Sequence, residues 1–110
     1  MLHFWNRILH MKLYELAHCR AGDKGNTSIL SLIAYKAKDY PLLAARVTAS
    51  AVRQHLAGIV GGNVTRYELP HLCALQFVCA EALLTGVTTS LALDTHGKAL
   101  SSALLEFAID

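Results

Sequence analysis

One short stretch of this chain gathers side chains able to do chemistry. His18, Arg20, Asp23, Lys24 and Asn26 fall within nine residues, with Gly22 and Gly25 among them. Arg20 offers a planar fork of donors for a carboxylate or phosphate, and Lys24 adds a compact positive charge. Glycines let a ligand approach the backbone closely. The run follows an apolar alternating segment and precedes an apolar run of helical spacing. It therefore reads as a strand-to-helix junction, where free N–H groups and a partial positive charge favour an anion. The same residues also serve a purely structural loop: Asp23 holding a turn, Arg20 and Lys24 paired with carboxylates, Asn26 capping the helix. This is neither a Walker P-loop, since Asn26 follows Gly25, nor a Rossmann glycine pattern.

Other candidates are weaker. His18 ends an apolar strand and is a general base only if it titrates near neutrality. Cys19 adjoins Arg20, and neighbouring positive charge can activate a thiol. Successive strand residues point to opposite faces, however, so His18 and Cys19 diverge. His96 beside Asp94 reads as an exposed turn pair, His55 as a surface residue and His71 as a local backbone partner. Neither Ser28 nor Ser90 sits in a Gly-x-Ser-x-Gly elbow. No histidine pair has metal-binding helical spacing and the cysteines form no CxxC, so neither a metal nor a cofactor is expected.

These residues must be positioned by a small body. The chain has 110 residues, 54% hydrophobic and 16% charged, which excludes intrinsic disorder and leaves room for one domain. Seven glycines and two prolines exclude collagen-like and proline-rich types. A net charge of +2 with no basic run does not imply a nucleic-acid partner, and none is expected. Three cysteines, an odd number, read as buried reduced thiols and suit a cytoplasmic protein. No apolar stretch reaches the roughly 20 residues needed to span a bilayer. Residues 1–10 lack the long apolar region and cleavage site of a signal peptide. They read as an extension, with Met11 opening the domain.

The periodicity predicts a strand over 12–19, a buried helix over Ser28–Lys38, and a break at Asp39-Tyr40-Pro41. A short helix restarts at Pro41, and another, capped by Thr48 or Ser50, runs to about Ile59. Val64–Leu69 alternates as a strand stopped by Pro70. A helix is predicted over Leu72–Leu84, a strand over 87–93, a short helix over 98–104 and a last strand over 105–109. The alternation predicts one small sheet of about four strands with helices packed on it, in an α+β chain. Strands joined through helices are expected to be parallel.

Several blocks resemble a known family. His18 to Ser28 is similar to the H-x-R-x-G-D-K-G-N signature of the AtuA-like domain of acyclic terpene utilisation proteins. Val64-Thr65-Arg66-Tyr67-Glu68-Leu69-Pro70 resembles its V-x-R-Y-E-L-P strand, and Ala74-Leu75-Gln76-Phe77-Val78 its A-L-N-F-V segment. Gly86–Leu91, Asp94 with Gly97-Lys98, and Leu104-Leu105-Glu106 resemble its closing blocks. The resemblance covers Met11 to Asp110. It implies a ferredoxin-like fold and a small subunit or interaction domain partnered by a larger AtuA-type chain, in catabolism of branched or terpenoid acids as coenzyme A thioesters. It assigns no catalytic residue. Position by position it carries over Arg20, Gly22, Asp23, Lys24, Gly25 and Asn26. In that reading Arg20 holds an anionic small molecule and Asp23 orients Arg20 or Lys24. Two alternatives stand beside it. One is a homo-oligomeric enzyme acting on an acyl thioester, with His18 or Asp23 as base and the helix start as oxyanion site. The other is a structural interaction module without a ligand. The apolar composition favours an oligomer.

Overall fold

The motif lies on a β-hairpin, with no helix after it. In a computed structural model that describes residues 11–82 and 98–109, strand β1 is Ala17–Lys24 and strand β2 is Thr27–Ala34. They pair antiparallel from Ala17↔Ala34 to Lys24↔Thr27, leaving Gly25-Asn26 as a two-residue loop. Gly25 takes φ 61 while Asn26 keeps a negative φ. That is the pattern of a type II′ turn, whose twist matches paired strands and whose first central position calls for glycine.

The helix predicted over Ser28–Lys38 is therefore strand β2. Its burial alternates: Ser28, Leu30 and Leu32 are buried, and Ile29, Ser31 and Ile33 are half-buried. A strand apolar on both faces has no visible period of two, and so also fits a helical template. The helix predicted over Leu72–Leu84 fails for the same reason. Ala74–Cys79 is strand β4, with Leu75, Phe77 and Cys79 facing the core. The first strand starts later than predicted, because Leu13–Glu15 is a 3-10 turn.

The locally signalled elements stand where expected, except that the helix predicted to run to about Ile59 ends at His55. Helix α1, Tyr40–Arg46, carries Pro41 in its first turn. Helix α2, Ala49–His55, is capped by Thr48, whose hydroxyl accepts from the Ala51 N–H at 3.1 Å. Strand β3 is Val64–Leu69 and helix α3 is Lys98–Leu105. The predicted last strand reduces to a single bridge, Lys12↔Ala108. The strand predicted over 87–93 lies outside the described residues, as do Ser90, Asp94 and His96.

The sheet runs β1-β2-β4-β3, and every neighbouring pair is antiparallel. The expectation of parallel neighbours is thus corrected. β2 and β3 do run parallel across the α1–α2 connection, but β4 is inserted between them. This split arrangement, with three helices among the described residues on a four-stranded antiparallel sheet, is a ferredoxin-like α+β fold. The helices share one face. Leu30, Leu32, Leu43, Val52, Phe77 and Leu104 are fully buried in one cluster there. Past β3 and β4 the chains stay close: the Gly62 N–H donates to the Ala80 carbonyl at 3.0 Å, and a Cβ on Gly62 would fall 2.7 Å from that oxygen.

Candidate functional site

Alternation along β1 divides the motif between the two faces of the sheet. His18, Arg20, Gly22 and Lys24 occupy the face away from the helices. Cys19, Ala21 and Asp23 occupy the face toward them, in register with Leu32, Leu30 and Ser28. Arg20, Gly22, Asp23, Lys24, Gly25 and Asn26 are all exposed, and His18 is half-buried. Asp23 therefore points away from Arg20 and Lys24. Among the described residues it pairs with neither, which removes the orienting role expected of it. The Asn26 carbonyl accepts from the Ala82 N–H at 2.8 Å. Asn26 thus ties the hairpin tip to the chain leaving β4 and caps no helix. His18 stacks on Tyr35 with ring centroids 5.5 Å apart, a packing role.

The electrostatics change accordingly. Without a helix at the motif, no row of free N–H groups or dipole end faces an anion, and the oxyanion site of the thioester-enzyme reading is lost. What remains for an anionic group is Arg20 and Lys24, four residues apart on one strand face and so roughly 13 Å apart along the strand. Gly22 lies between them. A Cβ there would meet nothing within 4 Å, and its φ is not left-handed. The two glycines therefore differ: Gly25 is required by the turn, whereas Gly22 is not required by the chain's own packing. Gly25→Val is expected to cost about 1–2 kcal/mol in urea unfolding. Gly22→Ala is expected to leave stability unchanged within about 0.5 kcal/mol.

Two of the three cysteines, Cys19 and Cys79, are inert by environment. Burial, with a smaller contribution from Cys79, pushes the Cys19 thiol up to about 12, and burial pushes Cys79 up to about 11. Their protonated forms dominate at neutral pH, so Cys19 is no activated nucleophile. At pH 8, iodoacetamide should label Cys79 about a hundredfold and Cys19 about a thousandfold more slowly in the native protein than in the unfolded chain. The linkage has a definite sign. The stability these raised thiols contribute is complete below the ordinary thiol pKa near 9. It declines as pH rises toward 11–12, because the unfolded chain ionises first.

Sequence reasoning missed a second polar centre. Arg66 sits on the helix-facing side of β3, in register with Phe77. Its guanidinium donates to the carbonyls of Ala44 at 2.7 Å and Val47 at 3.0 Å, and to Glu68 Oε2 at 2.7 Å. It thereby satisfies carbonyls at the C-terminal end of α1 and ties that helix to the sheet. A visible signal was available: in Val64-Thr65-Arg66-Tyr67-Glu68, alternation places Arg66 on the same face as Val64. Nearby, the Tyr40 hydroxyl is buried without a hydrogen-bond partner among the described residues. Burial, followed by the Glu68 charge, raises its pKa.

His55, expected at the surface, is exposed, and its Nε2 also reaches the Ala103 carbonyl at 2.7 Å, linking α2 to α3. A hollow of about 440 Å³ lined by Ser50, Arg53, Gln54, Ala57, Val60 and Gly61 contains none of the motif residues. Among the described residues, no three His, Cys, Asp or Glu side chains are placed to hold a metal ion. No described helix is long and apolar enough to cross a membrane.

Comparison with known proteins agrees with this architecture. No curated protein and no solved structure gives a significant match. The profile of the AtuA ferredoxin-like domain, however, matches residues 11–110, which takes in the hairpin motif, the Arg66 strand and the sheet they build. This chain belongs to the AtuA ferredoxin-like domain family.

Proposed function

We propose that the chain acts as a small subunit or interaction domain of an AtuA-type assembly in the catabolism of branched or terpenoid carboxylic acids and their coenzyme A thioesters. The observation that carries this reading is the family match over residues 11–110. Two further features support it. The motif cations Arg20 and Lys24 are exposed, with no hydrogen bond or ion pair to their side chains among the described residues, and so are free to meet an anionic group on a partner or substrate. The loss of the helix-start site also takes the oxyanion donors away from the autonomous-enzyme alternative.

Co-expression with an AtuA-type large chain from the same genome tests the proposal. The expected result is stoichiometric co-purification. Arg20→Glu with Lys24→Glu should weaken it by about tenfold or more through lost charge complementarity, while the circular dichroism spectrum stays native. Failure of the two chains to co-purify under any salt condition would overturn it.

A further inference from the structure

We draw no further inference here: the strongest candidate, the sheet face turned away from the described helices, with Arg20, Lys24 and Tyr67 exposed on it, carries nothing because nothing in the described structure shows what covers it.

Discussion

Phe77→Ala is expected to destabilise the domain by about 4 kcal/mol, enough to leave much of it unfolded at 37 °C. Phe77 has no exposed surface. It lies on β4, a central strand, in register with Leu30 on one side and Arg66 on the other. Removing the ring forfeits its transfer free energy and leaves a cavity between sheet and helices that strand pairing prevents from collapsing. The control is its neighbour. Val78 points to the opposite face and belongs to no core cluster, so Val78→Ala should cost less than about 1 kcal/mol at matched protein concentration. Urea unfolding of both variants decides the matter. Equal losses would mean that the two faces of the sheet have been assigned wrongly.

Arg66→Ala should cost about 3 kcal/mol. The guanidinium makes three hydrogen bonds, two of them to carbonyls near the end of α1, and its side chain is only 17% exposed. Deletion leaves those carbonyls short of a donor and frees α1 from β3. Most of the effect belongs to the carbonyls, because Glu68 is 56% exposed and can return to water. Glu68→Gln should therefore cost well under 1 kcal/mol. Arg66→Lys should recover only part of the loss, since a single ammonium cannot span two carbonyls and a carboxylate in a planar fork. Chemical denaturation of the three variants in parallel checks the order. If Glu68→Gln matched Arg66→Ala, the ion pair would be the main contribution and the capping account would fail.

Both residues lie in blocks that resemble the family's own, and both are structural. Sequence resemblance marks these positions without saying whether they build the fold or meet a ligand. Their environments separate the cases. Arg66 is enclosed by carbonyls and Phe77 by the core, whereas Arg20 and Lys24 face outward from a strand.

What the sequence determined by itself was whatever depends on neighbours a few residues apart. Pro41 fits only the first turn of a helix, Thr48 supplies a cap, and Val64–Leu69 alternates until Pro70 stops it. Each is a local constraint and each stands in the structure. The ordered blocks also identified the family. Only the tertiary structure decided the state of Thr27–Ala34 and Ala74–Cys79. Both carry apolar residues on two faces, one meeting the described helices and the other turned away from them. With no polar face, Ile29, Leu30, Leu32 and Ile33 match a helix as well as a strand, and hydrogen-bonding partners some 45 residues away settle the choice. That decision moved the motif from a helix start, where backbone donors would hold an anion, to a hairpin tip, where they do not. Pairing of β2 with β4, together with the local type II′ turn at Gly25-Asn26 that closes β1 onto β2, thus set the chemistry open to His18, Arg20 and Lys24.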